Sequence, residues 1–320
     1  MLPKRFFVLL ILILSAIFLS QTALATTVVS PLLELAVDPG QTQKGLVKIY
    51  NETDQDLALT SSVEPFAAAD ESGKPLYLSV NQDFLQWFEV SVASIVLKPH
   101  QAARIPFVVK VPLNATPGGY YAAIFWQTAS QPSVDDRVVA VNSKVGTLVL
   151  LKVNGDLKES GQVLEFKTQP QNNYFFGLPI NFLVRFSNTG NIHLIPEGKI
   201  ELKNWFGQIE TFYLNEGKNN VLPNSTRRFE IVWGKNFEGN FWQNFWSGLN
   251  QDFRHLAFGK YTANLELNYG TEQKQTIQKQ FSFWIIPWRL IAALLIFIGL
   301  IIIFIKINSK MRRLKNKVTP

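Results

Sequence analysis

The residues able to do acid–base or metal chemistry are few in this chain and poorly spaced for it. Its 320 residues include three histidines, His100, His193 and His255, and no cysteine. A hydrolytic zinc site needs two histidines one helical turn apart with a carboxylate between them, and no histidine here has a second at that spacing. Nucleophilic catalysis fares no better, since there is no thiol and no Gly-x-Ser-x-Gly elbow. His100 follows Pro99 in a turn signal. His193 closes the stretch Asn188-Thr189-Gly190-Asn191-Ile192-His193, which reads as a hairpin whose Asn and Gly accept positive φ. The acidic pairs Asp54 with Asp56 and Asp135-Asp136 supply too few oxygen ligands for calcium. The sequence predicts no catalytic residue, no metal and no cofactor.

Binding chemistry is better represented, through aromatics. Between Phe237 and Phe258, residues Phe241, Trp242, Phe245, Trp246 and Phe253, with Leu249, recur at helical steps, while Gln243, Asn244, Ser247, Asn250 and Gln251 occupy the opposite face. Three roles fit such a helix. It closes the end of a folded domain, or it presents Phe241, Trp242, Phe245, Trp246 and Phe253 as a partner-binding surface, where aromatic side chains concentrate binding energy. Alternatively it rests in the lipid interface, where Trp is favoured.

The elements that must position these residues are strands. Lys44 to Tyr50, Asp56 to Val63, Ile105 to Val111, Tyr120 to Trp126 and Lys144 to Val153 are short β-branched and aromatic runs divided by Pro and Gly turns. In Ile105, Phe107, Val109 and Val111 every second residue is apolar, the pattern of a strand with one buried face. A second set comprises Ile180 to Asn188, Lys199 to Lys203, Arg228 to Trp233, Tyr261 to Asn268 and Thr276 to Phe283. The two sets share a plan. Leu97-Lys98-Pro99-His100 precedes one strand and Leu222-Pro223-Asn224-Ser225 another; Gly119-Tyr120 and Gly259-Lys260-Tyr261 open the next strand in each set. A Tyr at that place suggests the tyrosine corner of immunoglobulin-like sandwiches. The predicted fold is all-β, two tandem immunoglobulin-like sandwiches over 26–157 and 158–283.

Membrane signals flank them. Lys4 and Arg5, the apolar run from Phe6 to Leu19 and Ala23-Leu24-Ala25 form a signal peptide over 1–25. The segment 284–305 is apolar and long enough for a transmembrane helix. The tail 306–320 carries Lys306, Lys310, Arg312, Arg313, Lys315 and Lys317 without an acidic residue, which puts it in the cytoplasm and both sandwiches outside a plasma membrane. The formal charge of +7 is therefore no sign of a nucleic-acid partner. Without Lys4, Arg5, Arg289 and the six tail cations, 22 basic residues face 24 acidic ones, a net −2. Since only Pro287 interrupts the passage from the last strand into the helix, the second sandwich is expected close to the bilayer.

With these residues in view, the chain resembles the WxL-interacting proteins. The likeness lies in Leu33-Glu34-Leu35-Ala36-Val37-Asp38-Pro39-Gly40-Gln41, Val47-Lys48-Ile49-Tyr50-Asn51, Ile95-Val96-Leu97-Lys98-Pro99, Ile105 to Pro112, and Leu222-Pro223-Asn224-Ser225 with Phe229-Glu230-Ile231. Gly118-Gly119-Tyr120-Tyr121 only approximates that family's glycine-rich segment. The resemblance implies a membrane-anchored surface scaffold whose first domain binds peptidoglycan and whose second binds host or matrix ligands, alongside WxL-domain surface proteins. The alternative is a membrane-tethered assembly chaperone that holds a client strand against a sheet edge. The two differ at their edges, which a chaperone leaves long and unprotected.

Overall fold

Alternation at a period of two residues becomes sheet geometry in β8 (Ala102–Lys110): Ile105, Phe107 and Val109 are buried while Arg104, Pro106 and Lys110 are exposed. The structure, a computed structural model, describes residues 26–28, 31–128, 144–207, 209–255, 257–271 and 274–318. The expected signal peptide and the Asp135-Asp136 pair lie outside the described residues. The chain is mostly β, with two sandwich-like regions and one long apolar C-terminal helix. It divides into a first unit, Met1–Phe66 with Tyr77–Asp156, and a second unit, Leu157–Pro320 with Ala67–Leu76. The assignment of Ala67–Leu76 to the second unit interrupts the continuous block 26–157 read from the sequence.

In the first unit, one sheet has the order β1 (Thr26–Val28), β3 (Thr42–Asn51), β8 and β6 (Phe88–Val90). The other runs β2 (Leu32–Val37), β10 (Lys144–Val153), β9 (Gly118–Thr128), β4 (Leu57–Ala68) and β5 (Pro75–Tyr77), with β7 (Ser94–Leu97) also paired to β4. Ile49, Phe107, Ile124, Trp126 and Leu151 are fully buried in its core.

In the second unit, a three-stranded sheet is ordered β11 (Gly161–Gln169), β13 (Ile180–Asn188), β16 (Thr226–Trp233). A five-stranded one is ordered β12 (Tyr174–Phe175), β18 (Gln275–Ile285), β17 (Gly259–Tyr269), β14 (Glu197–Asn204), β15 (Ile209–Leu214). Phe182, Phe186, Ile200, Trp233, Leu265 and Phe283 fill the core. Helix α1 (Phe241–Arg254) joins β16 to β17, and helix α2 (Trp288–Val318) follows β18.

The shared plan has a physical basis, because the same side chains solve the same backbone problem in each unit. Asn51 and Asn188, each 0% exposed, end β3 and β13. Asn51 Nδ2 donates to the carbonyls of Gln55, Leu97 and Lys98 at 2.8–3.2 Å, and its Oδ1 accepts from the Thr53 amide. Asn188 Nδ2 donates to Ile192 and Val221 carbonyls at 2.7 and 2.8 Å, and its Oδ1 accepts from the Gly190 amide. The turns that follow carry proline at the second position and a positive φ at the third, +56° at His100 and +55° at Asn224. Both expected corners form: Tyr120 donates to the Thr116 carbonyl at 2.8 Å and Tyr261 to that of His255 at 3.4 Å.

Inside the second unit, the segment Ala67–Leu76 is held on β13 and β16. The Arg228 amide donates to the Glu71 carbonyl at 2.8 Å. Arg185 grips the Glu71 carboxylate through Nε at 2.8 Å and through a second nitrogen, and donates to Glu165 at 3.1 Å. Donation from Arg185 holds the Glu71 carboxyl below the usual glutamate range.

Two outcomes follow. Asn51→Ala strands several buried backbone groups, so it is expected to cost about 2–3 kcal/mol, against about 1 kcal/mol for Tyr120→Phe, in urea unfolding of the detergent-solubilised protein. Because the Glu71 pKa is depressed, its stabilisation is complete above the ordinary glutamate range and is lost as pH falls through the folded value. The protection factor of the Arg228 amide, its exchange corrected for the intrinsic pH dependence, should therefore fall on acidification in the native protein, and Glu71→Gln should remove that fall.

Candidate functional site

The aromatic stretch folds as a helix for local reasons. Asn240 caps α1 by accepting from the Gln243 amide at 2.9 Å, and the Gln243 side chain accepts from the Asn240 amide at 3.2 Å, a capping box. The helix does not bury the whole aromatic face read from the sequence. Only Phe245 of the five expected binding residues is buried, at 8%, whereas Phe241, Trp242, Trp246 and Phe253 are 59–66% exposed. The buried side is Phe245, Gly248, Gln251 and Asp252. Gln251, expected on the solvent face, instead accepts from the Lys235 amide at 2.7 Å and closes the loop ahead of the helix. Trp242, Trp246, Leu249 and Phe253, at steps of four, three and four, form a separate outward stripe.

Asp252 explains why α1 turns that side inward. Its carboxylate is 0% exposed and accepts from the Leu178 amide at 2.9 Å and from Arg289 at 3.1 Å. Arg289 lies in the first turn of α2, an unfavourable place for a cation beside the positive end of a helix. The buried carboxylate offsets that, and the guanidinium packs over Gly248, where an added Cβ would lie 2.6 Å from it. Phe245 meets Trp288 edge to face at 5.7 Å. Helix α1 is thus bolted to the first turn of α2 by an ion pair, a ring contact and a glycine.

Strand register places a second aromatic group at the same end of the five-stranded sheet. β14 ends at Asn204 opposite Tyr261, and β17 begins at Gly259 opposite Ile285. Asn204, 3% exposed, accepts from the Phe206 amide through Oδ1 and from the Gly207 amide through its carbonyl, both at 3.0 Å. This turn, with φ +88° at Gly207, projects Trp205 and Phe206 outward at 66% and 61% exposure, and both rings touch Phe258. Neither Trp205 nor Phe206 was a candidate from sequence, although Trp-Phe-Gly between two strands is a turn signal.

The opposite end of that sheet holds a groove of about 710 Å³, lined by Tyr213, Tyr269, Ile195 and the charged Lys199, Glu216 and Glu266. It lies beside β15, which the sequence analysis did not identify as a strand. Of the second unit's outer strands, β11 carries a register irregularity between Val163 and Glu165, β16 receives Glu71, and β12 covers β18 only at Trp284 and Ile285, so that among the described residues Gln275–Phe283 of β18 has no partner strand on that side. β15 pairs with β14 over all six residues without a bulge, and among the described residues no strand pairs with its other side, although β16 lies near it and His255 meets its Glu210. Ile209 and Tyr213 project from it at 52% and 66% exposure, with Thr211 between them.

The histidines occupy structural positions. His100 pairs with Asp54 at 2.9 Å on the surface, His255 ends α1 and meets Glu210 at 2.9 Å, and His193 is partly buried in the loop organised by Asn188.

No protein-family model and no curated protein matches the chain, so the likeness to WxL-interacting proteins rests on the residues quoted above. Solved structures with a similar fold include the class 5 fimbriae chaperone CfaA, at 10% identity and TM-score 0.41 over 80% of this chain and 98% of that one. The E. coli chaperone DraB aligns at 12% identity and TM-score 0.36, over 81% and 97%. The Salmonella enterica SafA pilin–SafB chaperone complex gives 10% and 0.37, over 83% and 98%. Similarity this distant transfers neither partner nor activity.

Asp252→Ala should destabilise the second unit by about 3–5 kcal/mol, because it leaves Arg289 and the Leu178 amide without their buried acceptor. Hydrogen exchange in α1 checks this. The paired change Asp252→Leu with Arg289→Leu should recover a large part of the loss.

Proposed function

We propose that the chain is a single-pass membrane-anchored binding protein, without catalytic activity, that takes an extended segment of a protein partner along β15. The observation that carries the binding half is the bulge-free edge of β15, unpaired by any strand among the described residues, with the groove at its end. An edge of this kind offers unpaired backbone groups to an added strand, and alternate side chains of that strand meet Ile209, Thr211 and Tyr213 on one face. The adjacent groove supplies two tyrosine rings and charges of both signs for the segment beyond the strand. This reading joins the anchored scaffold to the strand-holding alternative. It does not extend to peptidoglycan or WxL-domain partners, which the resemblance alone implied.

The anchoring half is supported by α2. Within its residues Trp288–Lys310, the most apolar 18-residue stretch has a mean hydropathy of 3.1 and is 0% buried. At 1.5 Å per residue the 23 residues Trp288–Lys310 span about 35 Å, enough for a hydrocarbon core of about 30 Å. The basic tail orients the sandwiches outward from the cytoplasm.

Photo-cross-linking from residues 211 and 213 of the full-length protein in the cells that produce it tests the binding reading. The expected result is a discrete protein adduct that is absent when the photoreactive residue is at Gln278, on the outer face of β18. Tyr213→Ala should weaken capture by about 2 kcal/mol and Thr211→Lys should abolish it. Adducts of equal yield from all three positions would overturn the assignment of β15.

A further inference from the structure

We propose, resting on the reading of α2 as a membrane span, that the end of the second unit from which α2 leaves is seated in the lipid interface. Helix α1 lies in the headgroup layer with Trp242, Trp246, Leu249 and Phe253 toward the acyl chains.

Position carries the first part of the argument. Between the last residue of β18, Ile285, and the first of α2, Trp288, stand only Ile286 and Pro287. The Ile286 amide still donates to the Phe175 carbonyl at 2.7 Å, so β12 holds the chain to within one residue of Pro287. Helix α1 packs on Trp288 and Arg289, the first turn of the span. A helix rises about 5.4 Å per turn, so whatever depth Trp288 has in the bilayer, the part of α1 from Phe245 to Asp252 that packs on Trp288 and Arg289 is within about a turn of it. With Trp288 at the upper boundary of the hydrocarbon, α1 is at the level of the headgroups.

Composition carries the second part. The outward stripe of α1 holds two tryptophans, a leucine and a phenylalanine and no charged residue, and the Trp205-Phe206 turn exposes two more large rings at the same end of the sheet. Trp284, Ile286 and Trp288 are exposed there as well, at 46%, 39% and 42%. Tryptophan at the boundary between water and hydrocarbon is the preferred membrane-interface side chain, because the ring is apolar and its N–H seeks polar partners. The polar side of α1 is Gln243, Asn244, Ser247, Asn250 and Arg254, and Arg254 is engaged with Asn250 at 3.1 Å. Attraction is therefore apolar, toward acyl chains rather than toward anionic headgroups. A protein occupant would have to reach this stripe between the domain and the bilayer to which α1 is fixed.

The chain has no cysteine, so single cysteines carry a nitroxide without background. Trp246→Cys, Phe253→Cys, Ile298→Cys and Gln278→Cys would be labelled in the full-length protein, reconstituted in phosphatidylcholine vesicles, and read by paramagnetic resonance with oxygen and a water-soluble nickel chelate as collision partners. The expected result is loss of nickel accessibility at 246 and 253 relative to 278, with oxygen accessibility raised, and less immersion than at 298. Nickel accessibility at 246 and 253 equal to that at 278, with 298 shielded, would overturn the interfacial seat while leaving the anchor standing. Nickel access at 298 would overturn the span, and this proposal with it. Two labelled positions in α1 keep the test open if either substitution disturbs folding.

Discussion

The second unit depends on one buried carboxylate. Asp252 receives the Leu178 amide ahead of β13 and the guanidinium of Arg289 at the start of α2, while its backbone carbonyl accepts from the Ala257 amide ahead of β17. Four parts of the fold converge on this residue: the β13 approach, α1, the β17 approach and α2. A buried ion pair is a poor source of net stability, because desolvation consumes much of the Coulomb attraction. Its value here is geometric. The pair joins α1 to the first turn of α2, and in that docking Trp242, Trp246 and Phe253 face outward instead of into the sandwich.

The two units solve their loop problems with the same devices. A buried asparagine pins the loop before β8 or β16, a proline turn with positive φ follows it, and a tyrosine hydroxyl returns to the backbone just upstream of β9 or β17. They part company in the connection that the tyrosine closes. Residues 111–117 suffice in the first unit, whereas 234–258 are used in the second, and α1 lies within that longer connection. The aromatic helix is thus an elaboration of a shared plan at a place where the plan tolerates length. Loop closure grows only slowly more costly with length, which is why a scaffold can accept such an insertion. The tyrosine corner still forms at the far side of it.

Much of this was legible in the residues. The principal strands of both units were marked by period-two alternation and by turn residues, and the tyrosine corners by their place at a strand start. The apolar helix after β18 was marked by composition. The helical periodicity of the aromatic stretch was legible too, but its facing was not. Phe241, Trp242, Phe245, Trp246 and Phe253 form one apolar group on a helical wheel, and nothing in the wheel says that Phe245 alone goes inward. The side with Gly248, Gln251 and Asp252 looks like a poor interface until Arg289, Leu178 and Lys235 are brought to it from distant parts of the chain. β15 escaped notice because it is short and follows a Trp-Phe-Gly turn whose rings resemble a continuing apolar run.

By itself the sequence determined the principal strands of both units, the helical periodicity of the aromatic stretch, many of the turns and which stretch is apolar enough to span a bilayer. These depend on neighbours within a few residues, through side-chain alternation, φ preferences and helical spacing. Tertiary structure alone decided which side of α1 is buried, that Arg289 is neutralised, that Trp205 and Phe206 share an end of the sheet with α2, and that β15 is left as an open edge. Each of those depends on pairings between residues tens of positions apart, such as Asp252 with Arg289 and Asn204 with Tyr261. Local preference cannot encode them, because the partner that makes a polar face worth burying is absent until the chain has folded.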